Sequence, residues 1–219
     1  MSQHLSRQLA LLREKILHVG ATVESAIQKA VTALIDRDAK LAASVVAADD
    51  VIDQLEVEVE EECLKTLALY QPVANDLRLV VSVLKINNDL ERMGDIARNI
   101  AKRALYLAQN GPSEFTDDIR TMAAKAQSMV KRSLDALVES DAKLAQQVRD
   151  ADDEVDALHK RVTASLRERL AQSPDRSEYW LKLLSVVKHI ERLADMATHI
   201  AEDVIYMVEG EIVRHQNDD

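Results

Sequence analysis

Apolar positions recur at helical intervals along nearly the whole chain. Between residues 39 and 70, Leu41, Val45, Ile52, Leu55, Val59 and Cys63 fall on one stripe when successive residues are turned by about 100°. Residues 142 to 172 repeat that stripe with Leu144, Val148, Val155, Leu158, Val162 and Leu166, and a third stretch carries Val83, Ile86, Leu90, Met93, Ala97 and Ile100. Pro72, Pro112 and Pro174 lie between the periodic stretches, and a helix usually ends at or before the residue preceding a proline. Two further turns are expected at Asp36-Arg37-Asp38 and Glu139-Ser140-Asp141, where short polar residues ahead of Ala-Lys-Leu-Ala can cap a new helix. The pattern predicts six helices, over 4–35, 39–70, 73–108, 114–139, 142–172 and 175–209. At 1.5 Å per residue the longest would reach roughly 50 Å.

Composition agrees with an all-α chain. Only four Gly and three Pro occur in 219 residues, and aromatic residues at 3% leave little for sheets. The helices come in two matching sets. Asp38-Ala39-Lys40-Leu41-Ala42 returns as Asp141-Ala142-Lys143-Leu144-Ala145, 103 positions later, and Glu91-Arg92-Met93-Gly94-Asp95 returns as Glu191-Arg192-Leu193-Ala194-Asp195, 100 positions later. A period near one hundred residues indicates a duplicated unit, not a solenoid. The expected organisation is two antiparallel three-helix bundles, 1–109 and 114–219, joined by a linker at 110–113. The starts of the third and sixth helices are apolar on nearly all sides, with Leu77, Leu79, Val80, Val81, Val83 and Leu84 in one and Leu181, Leu183, Leu184, Val186 and Val187 in the other. A helix apolar all round is buried all round, so these segments are expected to pack between the halves or at a dimer interface.

The repeat also carries candidate chemistry. Asp49 with Asp53, Glu91 with Asp95, Asp152 with Asp156 and Glu191 with Asp195 are four acidic pairs spaced i,i+4 at corresponding places. Like charges so placed share a helix face and destabilise it by roughly 0.2 to 0.5 kcal/mol per pair. A bridging cation would remove that cost. On the wheels these carboxylates avoid the apolar stripes, and antiparallel neighbours with axes about 8 to 10 Å apart would bring four of them to one surface groove in each half. Oxygen ligands suit Mg, Mn or Fe, with Zn admitted where imidazole joins. The second half has that option, because His159, His199 and Glu202 extend its acidic face where the first half has Glu56, Asn99 and Lys102. Tighter metal binding is therefore expected in the second half. Arg98 and Lys102 offer the first half a metal-free alternative, in which arginine and lysine neutralise Asp95 directly.

Other features narrow the function. A net charge of -10 argues against nucleic acid, whose phosphates need clustered Lys and Arg. Cys63 is the only cysteine; it forms no disulfide within one chain, suits a small core position and fits a reducing compartment. Residues 1–20 interleave charges with leucines and resemble neither a signal peptide nor a membrane span. A cytoplasmic protein is expected. His4, His18, His189 and His215 read as surface or edge residues, and Tyr179 with Trp180 as a turn anchor.

Taken together, Gln71-Pro72-Val73-Ala74, Asp76-Leu77-Arg78, Leu84-Lys85-Ile86, Asp89 through Asp95, Asn99-Ile100-Ala101 and the echo at Glu191 through Asp195 closely resemble the PhoU family of phosphate-signalling regulators. The resemblance spans both halves. It implies two three-helix bundles, an often dimeric cytosolic protein without enzymatic activity, and carboxylate motifs able to hold multinuclear iron or zinc clusters. Residue by residue it assigns Asp49, Asp53, Glu91 and Asp95 to one cluster, and Asp152, Asp156, Glu191 and Asp195 to the other. Ile96 and Met196 stand where the family motif usually has histidine, and His199 replaces the asparagine kept at Asn99. The implied role is negative regulation of the phosphate-starvation response, with the protein linking the ATPase subunit of the phosphate ABC transporter to the PAS region of a sensor histidine kinase. It would reach the membrane only through those partners. Two other readings compete. One is a ferritin-like di-metal enzyme or storage protein, suggested by Asp156 and His159 at i,i+3 spacing but opposed by helices grouped in threes and by ligands outside the apolar stripe. The other is a helical adaptor that binds no metal.

Overall fold

A computed structural model describes residues 3–110 and 116–213, so the expected linker turn at Gly111-Pro112-Ser113 and His215 lie outside the described residues. Helices make up the fold: α1 (Gln3–Asp36), α2 (Ala39–Ala47), α3 (Asp49–Tyr70), α4 (Ala74–Gln109), α5 (Asp117–Glu139), α6 (Ala142–Asp150), α7 (Asp152–Gln172) and α8 (Ser177–Glu209), with a short 3-10 turn at Pro174–Arg176 ahead of α8. The six expected helices are present, but two of them are interrupted. A single residue, Ala48 or Ala151, separates α2 from α3 and α6 from α7. Each alanine turns its N–H back to the carbonyl three residues earlier, Val45 or Val148, at 3.2 Å, which tightens one turn and starts a new helix at Asp49 or Asp152.

Capping explains the turns that the sequence marks. Asp38 accepts from the N–H groups of Lys40 and Leu41, and Asp141 from those of Lys143 and Leu144, at 2.9 and 3.0 Å in each case. Arg37 takes a left-handed backbone, φ 58°. From there it donates to the carbonyl oxygens of Leu107 and Ala108 at 2.8 and 2.9 Å, closing the far end of α4, whose last carbonyls have no partner within the helix. At the start of α8, Tyr179 and Trp180 stack edge to face at 5.1 Å under the Arg176 guanidinium, an aromatic anchor at the turn as expected.

In each half the three-helix bundle is α1, α2/α3, α4 or α5, α6/α7, α8, and the halves meet through α4 against α8 and α1 against α5. Lys85 pairs with Asp203 at 3.4 Å near one end of the α4–α8 seam and Arg103 donates to Ser185 at 2.6 Å near the other, so the two helices run antiparallel. The core is one continuous cluster shared by both halves. Much of the apolar start of α4 and α8 enters it, including Val80, Val83, Leu183 and Val187, whereas Leu77 and Leu181 are 40% and 55% exposed. All-round burial therefore holds for part of those segments only, because the seam covers one side and leaves the outermost positions to solvent.

The repeat also shows compensating volumes. A Cβ added to Gly94 would lie 3.0 Å from Cδ1 and 3.1 Å from Cγ2 of Ile52, so α3 and α4 approach there only because glycine has no side chain. In the second half the corresponding residues are Ala194 and Val155, both fully buried. One methyl has moved from the strand of contacts on α3 to that on α4, and the total is kept, as close-packed interiors require.

Candidate functional site

The acidic pairs come together in each half because α3 packs on α4 and α7 on α8. Asp49 and Asp152 are the first residues of their helices, where the positive end of the helix dipole favours a carboxylate. The third helix of each half then supplies its motif, Glu91 and Asp95 from α4, Glu191 and Asp195 from α8.

In the first patch Asp49 is buried, only 6% exposed, with Asp53 exposed and Glu91 and Asp95 half-buried. A wholly surface site was expected, and Asp49 departs from it: it follows the buried Val45 by one helical turn, on the same side, and lies against α4. There Arg98 reaches across. One of its terminal nitrogens donates to Asp49 and the other to Asp95, so a single guanidinium bridges two of the four carboxylates. Burial raises the Asp49 carboxyl above its ordinary value, Arg98 opposes that rise, and Asp53 and Asp95 add to it. Glu91 is raised by burial and then by Asp95, Asp53 and Glu56. Asp53 and Asp95 thus act on both Asp49 and Glu91.

The second patch has the same frame and a different balance. Asp152 has an oxygen, Oδ1, that is buried without a hydrogen-bond partner among the described residues. Burial, then Asp195, Asp156, Asp153 and Glu191 in turn, push its carboxyl up to about 6. Burial also raises Glu191 and Asp195, with Asp195 and Asp156 respectively as the next cause. The position of Arg98 is taken by Thr198, whose hydroxyl donates to the Ala194 carbonyl at 3.1 Å. His159 Nδ1 lies 3.7 Å from Glu191 Oε1, and His199 lies close enough to Asp195 to favour its charge. Glu202 is drawn toward Arg149 at 3.8 Å. Lys160 approaches Asp156 at 3.8 Å from the solvent side. A groove of about 630 Å³ connects this patch to the α4–α8 seam, with Lys85, Arg92, Asp152, Asp195, His199 and Glu202 among its lining.

Among the described residues no three His, Cys, Asp or Glu side chains already stand as a metal cluster. The donors present nevertheless differ in their fit to a cation. The second patch offers an unpartnered buried carboxylate oxygen, raised carboxyls that a positive charge would relieve, and two imidazoles beside them. The first patch offers carboxylates already bridged by Arg98. Two features escaped the sequence reading. One is the second arm of that bridge, to Asp49; the contact of Arg98 with Asp95 is as expected. The other is His189, read as a surface or edge residue, whose ring nitrogens are both buried without a partner among the described residues; burial, then Arg103, Arg192 and Lys188, lower it to about 4. Cys63 is a buried core thiol as expected, pushed up to about 12 by burial.

Comparison with known proteins matches this architecture half by half. The PhoU domain matches residues 16–104 and again 119–204. The chain is 39% identical over 213 residues to the phosphate-specific transport system accessory protein PhoU homolog of Aquifex aeolicus, covering 97% of this chain and 96% of that one. To the homolog from Pseudomonas aeruginosa it is 39% identical over 216 residues, covering 98% and 89%. The crystal structure of PhoU from Pseudomonas aeruginosa superposes with a TM-score of 0.91 at 38% identity, over 94% of this chain and 99% of that one. The phosphate transport system regulatory protein PhoU from Streptococcus pneumoniae superposes at 0.87 with 29% identity, over 95% and 99%. With both halves matched and nearly the full length shared, the chain belongs to the PhoU family.

Proposed function

We propose that this protein is a regulatory accessory of a phosphate-specific transport system, acting at the cytoplasmic face as an adaptor between the transporter's ATPase subunit and the PAS region of a sensor histidine kinase, and damping the phosphate-starvation response. The observation that carries the reading is the full-length match to proteins named as accessory to that transport system, in both halves and at 39% identity. No helix among the described residues is long and apolar enough to cross a membrane, which agrees with recruitment through partners. A homodimer is part of the same reading.

Asp152, Asp156, Glu191 and Asp195 would hold a divalent or iron ion in the second half, with His159 and His199 as auxiliary donors. When bound, the ion supplies positive charge that cancels carboxylate repulsion and resets the charge the groove presents. The residues themselves do the recognition. The carboxylates of α7 and α8 offer acceptors to basic side chains of a partner, and Lys85 and Arg92 on the opposite wall fix the direction from which an acidic group can approach. The test is a chain with Asp152→Asn, Asp156→Asn, Glu191→Gln and Asp195→Asn, assayed for binding to the purified ATPase subunit and PAS region and for repression of a starvation-induced phosphatase. Weakened binding and raised phosphatase in phosphate-replete cells are expected. Wild-type behaviour in both assays would remove this face as the working surface.

A further inference from the structure

We propose that Arg98 is the built-in cation of the first acidic patch, that it stands where a metal ion would otherwise sit, and that bound metal is confined to the second patch. The proposal rests on the metal-binding reading above.

The chain holds two copies of one site that differ at matching positions. Asp49 and Asp95 in the first half correspond to Asp152 and Asp195 in the second, and Arg98 corresponds to Thr198. Arg98 gives one nitrogen to Asp49 and another to Asp95. The Asp49 side chain, at the base of the patch, is 7% exposed and that of Arg98 31%, so the Arg98–Asp49 arm is a charge-assisted hydrogen bond in a half-buried setting and not a solvated surface contact, while Asp95 lies toward solvent at 45%. A metal ion entering the first patch would have to take those oxygens from Arg98 and then tolerate the displaced guanidinium, tethered one turn along the same helix. Like charges in such a setting are costly.

The second patch lacks every part of that arrangement. Thr198 is uncharged and its hydroxyl is committed to the Ala194 carbonyl. Asp152 keeps a buried oxygen with no partner among the described residues. The nearby bases, His159 and His199, can serve as ligands when neutral, which a guanidinium cannot. Lys102 of the first half is Glu202 in the second, a carboxylate that Arg149 approaches at 3.8 Å from outside the four-carboxylate patch, where the first half has a positive charge. Lys160 and Arg192 remain near the second patch, Lys160 touching Asp156 from its exposed side and Arg192 acting at longer range on Asp195. Neither bridges two carboxylates.

Exchange of the two residues tests this. The full-length wild type, Arg98→Thr, Thr198→Arg and the double exchange would be stripped with chelator, equilibrated with Mn²⁺, separated from free ion and analysed for metal per chain. Arg98→Thr is expected to double the wild-type content and Thr198→Arg to abolish it, with the double exchange returning to the wild-type value. Adding Asp152→Asn and Asp195→Asn should empty the wild type and leave half the metal in Arg98→Thr. Wild-type protein that keeps half its metal after the Asp152 and Asp195 changes would overturn the proposal, since its first patch would then be loaded despite Arg98. If none of the proteins takes metal, the metal-binding reading fails, and the counter-ion role of Arg98 is then decided by thermal unfolding in chelator. Arg98→Thr should lower Tm and a further Asp49→Asn should restore it. An unchanged Tm in Arg98→Thr would overturn that role as well.

Discussion

Replacing Asp152 by Asn should stabilise the metal-free protein at neutral pH and leave it unchanged in acid. The reason lies in the position of Asp152 at the start of α7, partly buried and facing four other carboxylates. Its carboxyl is pushed up to about 6 from an ordinary 3.8. A shift of roughly two units at about 1.4 kcal/mol each amounts to about 3 kcal/mol. Solvent on the open side of the patch screens this to about 1 to 2 kcal/mol. The sign follows from proton uptake: between about pH 4 and pH 6 the folded chain holds a proton that the unfolded chain has released, so stability falls as pH rises through that window. Below it both states are protonated and the penalty vanishes; above it both are ionised and the penalty is complete. Asn is never charged, so the gap between variant and wild type should open from near zero at about pH 4 to its full size at about pH 7. For a chain of this size that is a rise in Tm of about 2 to 8 °C, measured by circular dichroism in chelator. Mn²⁺ at one hundred times its Kd should reverse the order, because the wild type alone gains about 2.7 kcal/mol from binding. A Tm difference of constant size from pH 4 to pH 8, or a less stable variant in chelator at pH 7, would refute the reasoning.

The Gly94 contact predicts coupling. Gly94→Ala alone should cost about 1 kcal/mol as its new methyl meets Ile52, whereas Gly94→Ala with Ile52→Val, the pair found in the second half, should return to within about 0.5 kcal/mol of wild type; additive losses in urea unfolding would contradict this. Asp38→Ala and Asp141→Ala each remove a cap that receives two N–H groups and should each cost about 1 kcal/mol, adding together because they lie in different halves. Arg37→Asn keeps a residue tolerant of the left-handed backbone but frees the Leu107 and Ala108 carbonyls, for a loss of about 1 kcal/mol that should appear as faster hydrogen exchange in the last turn of α4.

Much of the fold was readable because short-range chemistry decides it. Asp38 and Asp141 cap the helices that their spacing suggested, Pro72 and Pro174 lie where helices end, and the apolar stripes enter the core at Val45, Ile52, Val148 and Val155. The breaks at Ala48 and Ala151 were not readable, since alanine is the strongest helix former and a periodic apolar stripe runs through both. Each break shows only in the backbone, as the N–H of Ala48 or Ala151 turning back to the carbonyl three residues earlier. The eight carboxylates were legible as two groups of four from the repeat alone. Arg98 beside Asp95 was legible as an i,i+3 pair, but the burial of Asp49, the reach of Arg98 to it and the orphaned oxygen of Asp152 depend on how α3 and α7 lie against α4 and α8, which no local pattern in the chain records.

The antiparallel α4–α8 seam carries a consequence for how the halves can change. Two identical bundles related in this way would form a symmetric dimer, and every substitution in such a dimer would be made twice. Joined in one chain, the copies are free to drift apart at matching positions while the seam between them is kept. Arg98 opposite Thr198, Lys102 opposite Glu202 and Asn99 opposite His199 are differences of this kind, available to a fused pair and closed to a homodimer of half-length chains.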